Sequence, residues 1–192
     1  MLSNQSKNTI DLLLAESLKE LSKARPIEKI TIKEITDKAG VIRPTFYNHF
    51  QDKYELLEWI AVNELFEPAD PLLANGMLKE SITFILTAMA AEKDFYKKAM
   101  MLEGQNSFKD IFTSCLKSAV NKYIDLTKLK QRAPYEWMTS EVIADFYAHS
   151  ICYGVEQWVN GGMVVPPEEL ADVYVNIFHG SIIDLISRKT DR

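Results

Sequence analysis

Apolar residues recur at helical spacing through most of the chain. Ile10, Leu13, Leu14, Ser17, Leu18 and Leu21 follow the i, i+3, i+4, i+7 pattern and predict a helix over 4–24. Lys19, Lys23 and Arg25 suit the negative end of its dipole, and Pro26 stops it. Thr31-Ile-Lys-Glu34 has the form of a capping box and opens a short helix over 31–39, with Ile32, Ile35 and Ala39 inward. Gly40 is suited to a left-handed turn. A third helix over 43–49 carries Pro44 in its first turn. Asp52-Lys-Tyr-Glu55 caps a fourth, whose face is Leu56, Leu57, Ile60 and Phe66 and which Pro68 and Pro71 should break.

Longer helices follow at 77–91, 94–102 and 106–130, the last facing inward through Phe108, Ile111, Phe112, Leu116, Val120 and Ile124. Pro134 should open another, ending at Gly161-Gly162, and Pro166-Pro-Glu-Glu169 opens the last. No repeat and no alternating strand of useful length interrupts them. The expected fold is all-α.

Composition sharpens this picture. In 192 residues, 47% are hydrophobic and 26% charged, the balance of an ordinary globular protein. No apolar run approaches the roughly 18 residues of a membrane span, and the N-terminus lacks a secretory apolar stretch, so a cytosolic protein is expected. Two cysteines do not make a disulfide scaffold. The net charge is −5, yet it is unevenly distributed. Residues 1–55 hold nine basic and eight acidic side chains; the rest hold thirteen and nineteen. Nucleic-acid binding needs a local footprint, not a basic average.

That footprint has a candidate. Two short helices around a Gly turn at 31–49, braced by longer helices before and after, form a helix-turn-helix layout. Its second helix must enter a major groove and carry phosphate-binding groups along its edge. Arg43, Thr45, Tyr47, Asn48 and His49 supply them, while Phe46 and Phe50 face the core together. On these residues alone, a helical hairpin with Tyr47 and His49 as ordinary surface residues stays open.

The stretch Thr31-Ile-Lys-Glu-Ile-Thr-Asp-Lys-Ala-Gly-Val-Ile-Arg-Pro-Thr-Phe-Tyr-Asn-His-Phe-Gln-Asp-Lys-Tyr-Glu-Leu-Leu57 resembles the signature of the TetR/AcrR family of bacterial transcriptional regulators, densely over residues 8–60. The resemblance implies about nine helices: a DNA-binding domain (1–52) followed by a regulatory and dimerisation domain (53–192). It implies a homodimer on double-stranded DNA, and a C-terminal domain that senses a small effector or a co-regulator protein. By the same resemblance Tyr47, His49 and Lys53 hold phosphates, with Thr31 at a helix N-cap. Ile42, Arg43, Pro44, Thr45 and Asn48 face the groove, and Lys7, Lys33 and Lys38 add positive charge. Ile42 departs from the family, which favours Ser or Thr as this cap; the loss costs roughly 1 kcal/mol, and contact with a thymine methyl or sugar is expected instead. Later phrases, Tyr153-Gly-Val-Glu-Gln-Trp158 and Pro166-Pro-Glu-Glu-Leu170, resemble a subgroup that includes activators of dihydroxyacetone-kinase operons.

Other chemistry is sparse. His149 and Cys152 share an i, i+3 spacing but no second pair accompanies them, so no metal is expected. Gly161-Gly162 lacks the Lys of a phosphate loop, no nucleophile elbow occurs, and no cofactor or enzyme activity is expected. The competing reading, a helical carrier or enzyme with an incidental hairpin, lacks a polar cluster in 70–190. Met and aromatic residues concentrated after residue 76 fit either a filled core or an apolar pocket. The last two helices carry more apolar surface than one stripe requires. Phe146, Ile151, Val155, Trp158, Tyr174, Ile177, Phe178 and Ile182 are expected to form the dimer interface. Two-fold symmetry would then imply a palindromic operator with half-sites about 34 Å apart or a small multiple.

Overall fold

The computed structural model describes residues 2–104, 107–123 and 135–179, with side chains from Thr9 to Ile177. The regular structure of the described residues is all helical, without strands. Helix α1 (Leu2–Ala24) ends before Pro26, and a single 3-10 turn (Ile27–Lys29) leads to α2 (Ile32–Ala39). The capping box is present: Thr31 Oγ1 accepts from Glu34 N at 3.3 Å, and Thr31 N donates to Glu34 Oε2 at 2.9 Å. Gly40 caps α2 at φ +70°, a conformation that a side chain would strain.

Helix α3 (Arg43–Tyr47) is shorter than expected, because Asn48 N bonds back to Pro44 O and Phe46 O and closes it. Asp52 caps α4 (Lys53–Ala61), accepting from Tyr54 N and Glu55 N. Pro68 and Pro71 do not break this rod. It passes through a π turn (Val62–Phe66) into α5 (Glu67–Ala74). There Glu67 N reaches Val62 O, five residues back, and Pro68 falls in the first turn of α5, where a missing N–H leaves no gap.

Helices α6 (Leu78–Ala91), α7 (Lys93–Met100) and α8 (Phe108–Tyr123) follow. The predicted extension of α8 over 124–130 lies outside the described residues. Helix α9 (Ser140–Asn160) begins later than Pro134, because Thr139 is its cap: its Oγ1 accepts from Val142 N at 3.2 Å, and residues 135–138 form a turn. Helix α10 (Pro167–His179) opens at the predicted prolines. With α4, the π turn and α5 counted as one bent helix, the described residues contain nine helices, an all-α fold.

Helix α9 packs chiefly on α8, α10 on α6, and α1 on α2, α4 and α7. One apolar core runs from Leu14 to Tyr174, with Phe46, Phe95, Tyr96, Phe108 and Phe112 fully buried. Helix α1 departs from its predicted stripe. Leu13 is 46% exposed, while Asp11, Lys19 and Ser22 turn inward beside the predicted Ser17. Being packed on several sides, α1 buries polar groups through cross-links: Lys19 Nζ lies 2.6 Å from Glu16, 2.9 Å from Glu64 of the π turn and 3.7 Å from Glu92 before α7. Lys98 of α7 donates to the carbonyls of Ser22 and Lys23, satisfying the last turn of α1.

Candidate nucleic-acid interface

The recognition edge is set by what α3 buries. Phe46 is fully buried and Phe50 nearly so, their centroids 5.9 Å apart, and Phe50 packs edge-on against Trp59 of α4. Because these two side chains point inward, Ile42, Arg43, Pro44, Tyr47 and Asn48 are turned to solvent, with Thr45 half-buried. Ile42 precedes α3 without a side-chain capping bond and is 69% exposed, an apolar tip at the front of the helix. Arg43 Nη2 donates to Tyr47 Oη at 3.3 Å, one helical turn away. Residues 42–51 carry no carboxylate of their own, which favours a phosphate backbone along α3; Asp11 and Glu55 reach the segment only at its end, at His49 and at the Gln51 amide.

Several predicted contacts already have internal partners. The Thr31 hydroxyl donates to Glu34 Oε2 at 2.7 Å, and Arg25 Nη2 reaches Glu34 Oε1 at 2.6 Å. The hydrogen bonds from Thr31, then Arg25, pull the Glu34 carboxyl down to about 2. Lys33 pairs with Asp37 at 2.6 Å. His49 Nδ1 sits 2.6 Å from Asp11 Oδ1, with both side chains largely buried, so Asp11 fixes the ring and leaves Nε2 as its other hydrogen-bonding atom. Lys53 Nζ donates to three backbone carbonyls of the 3-10 turn and its C-cap: Ile27 at 3.0 Å, Glu28 at 2.8 Å and Ile30 at 3.0 Å. An ammonium has three N–H groups, so all are engaged, and burial lowers its pKa. The Lys7 side chain lies outside the described ones.

Sequence reasoning missed Asp11, which occupies an inward position of an apolar stripe. The only available signal was a carboxylate on the α1 face that also carries Leu14 and Leu18. Elsewhere, His149 is exposed, its Nδ1 2.8 Å from Asp145 O, while Cys152 is buried with Sγ 3.7 Å from Lys109 O. The two point to different surroundings, and among the described residues no group of three metal-binding side chains forms. No described helix is long and apolar enough to cross a membrane.

Of the expected interface residues, Phe146 (68%) and Ile177 (55%) are strongly exposed and Ile151 is half-buried. Val155, Trp158 and Tyr174 are buried inside the single chain: Trp158 Nε1 donates to Val165 O at 2.8 Å and Tyr174 Oη to Ile151 O at 3.3 Å. They offer little surface to a second copy. The side chain of Phe178 and all of Ile182 lie outside the description. Tyr153 (64%) and Val173 (50%) are further exposed apolar side chains on α9 and α10.

Comparison with known proteins agrees with this geometry. The family model for bacterial regulatory proteins of the tetR family matches residues 14–60, and that for a transcriptional regulator C-terminal region of the same group matches residues 77–180. The HTH-type dhaKLM operon transcriptional activator DhaS of Lactococcus lactis subsp. lactis (strain IL1403) is 25% identical over 152 residues, 78% of this chain and 79% of that protein. Among solved structures, a dihydroxyacetone kinase operon activator DhaS superposes with a TM-score of 0.63 at 23% identity, covering 88% of this chain and 93% of the other. The fatty acid degradation regulator FadR from Bacillus halodurans does so with a TM-score of 0.58 at 14% identity, covering 92% and 95%. The hairpin of residues 31–49 is therefore not incidental to a carrier or an enzyme: the chain belongs to the TetR family of DNA-binding transcriptional regulators.

Proposed function

We propose that the chain works as a homodimer on a palindromic operator in the cytosol, reading DNA with residues 1–52 and regulating that binding through residues 53–192. The carrying observation is the solvent-facing edge of α3, which has no carboxylate of its own: Phe46 and Phe50 anchor the helix, Arg43, Pro44, Tyr47 and Asn48 face outward, and Thr45 is half-buried among them. Arg43 grips a guanine edge, the only side chain at the front of α3 able to do so bidentately. Ile42 meets a thymine methyl or a sugar. Tyr47 and His49, the latter held by Asp11, contact phosphates. Thr31 and Lys33 stand at the capped N-terminus of α2 and meet the flanking DNA backbone, Lys33 through its exposed ammonium. Lys53 enters as a pin for the turn at 27–30, since its donors are engaged there.

The dimer face is the exposed apolar stripe of α9 and α10, represented by Phe146, Tyr153, Val173 and Ile177. Pairing these helices with their symmetry mates gives a four-helix interface. The C-terminal region senses a small molecule or a co-regulator protein; similarity to the dhaKLM operon activator favours an operon-specific regulator. Sedimentation of wild type and Ile177→Glu tests the assembly. A dimer that dissociates on this exposed substitution is expected; a wild type that sediments as a 22.0 kDa monomer at micromolar concentration overturns it.

A further inference from the structure

Between the π turn, α5, α6, α8, α9 and α10 lies a cavity of about 200 Å³. Its wall is apolar, built from residues such as Phe66, Leu86, Phe112, Leu116, Ile151 and Val155. Protein interiors leave few voids larger than a water molecule. Three hydroxyls among the described lining residues interrupt the apolar pattern, and one of them is unpaired. Ser81 on α6 is 1% exposed, and its Oγ has no hydrogen-bond partner among the described residues. A helical serine commonly returns its hydroxyl to the carbonyl four residues back; here Met77 O receives only the Ser81 backbone N–H, at 3.0 Å. An unmet buried hydroxyl is unfavourable. The other two hydroxyls among the described lining residues are engaged, Tyr123 with Asp70 and Tyr174 with Ile151 O. Ser81 alone does not give a water the two to four polar partners it needs.

We propose that this cavity binds a small, uncharged, mainly apolar organic molecule whose single hydrogen-bonding group meets Ser81 Oγ. Among the described residues no charged side chain lines the wall, so a carboxylate or ammonium would be buried unpaired and is rejected. An engineered apolar cavity of about 150 Å³ accepts benzene; by that scale this one takes roughly eight to ten non-hydrogen atoms. The proposal rests on the sensing role given above for any effect on DNA, but the binding itself stands apart from it.

Three aromatic probes of nearly equal size separate the possibilities: ethylbenzene, 2-phenylethanol and phenylacetate. They are titrated into the full-length protein and into Ser81→Ala, with binding read by calorimetry and by methyl chemical shifts. Wild type should bind both neutral probes saturably and phenylacetate not at all. Ser81→Ala should weaken 2-phenylethanol by about fivefold or more, the worth of one hydrogen bond, and leave ethylbenzene equal or tighter. Ala119→Phe, which fills the cavity from α8, should abolish both while the melting transition stays cooperative. Absence of saturable binding of either neutral probe to wild type overturns the site, as does equal binding of phenylacetate or a Ser81→Ala variant that shifts both neutral probes alike. DNA affinity measured with saturating 2-phenylethanol forms a separate arm: no change there overturns the sensing role and leaves the cavity ligand standing.

Discussion

Replacing Lys53 by Met removes an ammonium and keeps most of the aliphatic stem, which isolates its polar role. In the free protein that ammonium satisfies the carbonyls of Ile27, Glu28 and Ile30. The bonds to Ile27 and Ile30 are partly buried and the one to Glu28 is exposed. Water replaces the exposed bond at little loss. The two sheltered carbonyls lose a charged donor, at about 1 kcal/mol each after partial rehydration, so the variant should be destabilised by about 2 kcal/mol. For a chain of this size that is a fall in melting temperature of roughly 4–8 °C. The second readout is the salt dependence of DNA binding. Each phosphate contact adds about 0.9 to the slope of log affinity against log salt. If Lys53 pins the turn, Lys53→Met lowers stability and leaves the slope unchanged. An unaltered melting temperature with a slope reduced by about 0.9 would refute the reasoning and restore the phosphate role implied by family resemblance.

Arg43→Ala should cost about 1–3 kcal/mol at one base pair per half-site and relax preference there; an operator selection returning an unchanged consensus would count against the assignment. Glu34 is held near 2 by Thr31 and Arg25, below its ordinary 4.5. Its stabilising contribution is therefore complete above about 4.5 and lost as pH falls toward 2, so the gap in urea midpoint between wild type and Glu34→Gln should narrow from pH 5 to pH 3.5. A Cβ on Gly154 would stand 2.2 Å from Tyr174 Oη. Gly154→Ala must push Tyr174 from its buried seat, destabilising by about 1–3 kcal/mol, and Gly154→Ala combined with Tyr174→Phe should recover part of that loss in thermal melts.

Local signals made the helix-turn-helix legible. Thr31 and Glu34 announce the capping box, Gly40 the left-handed turn, and Phe46 with Phe50 the buried side of α3. Each depends on residues within four positions of one another. What stayed hidden depends on partners far along the chain. Asp11 and His49 are 38 residues apart, and Lys19 and Glu64 are 45 apart. Periodicity treats such buried ions as misplaced polar residues, which is why Leu13 was expected inward. Pro68 and Pro71 read as a stop because their local cost is visible, whereas the π turn that accommodates Pro68 is not. The apolar surplus on α9 and α10 was visible in amount. Its division between the chain's own core, through Trp158 and Tyr174, and the outer stripe, through Phe146 and Ile177, appears only once the helices are packed.

The central claim is that α3 reads DNA as one half of a symmetric pair. Repeated selection of fragments from a random duplex pool by the wild-type protein, followed by footprinting of the winners, tests it most directly. The account predicts an enriched sequence with two-fold symmetry, two protected half-sites centred one helical turn or a small multiple apart, and loss of both protections in the Arg43→Ala, Tyr47→Ala double variant. A pool that yields no enriched sequence, or a single unsymmetric site that the double variant still protects, would contradict it.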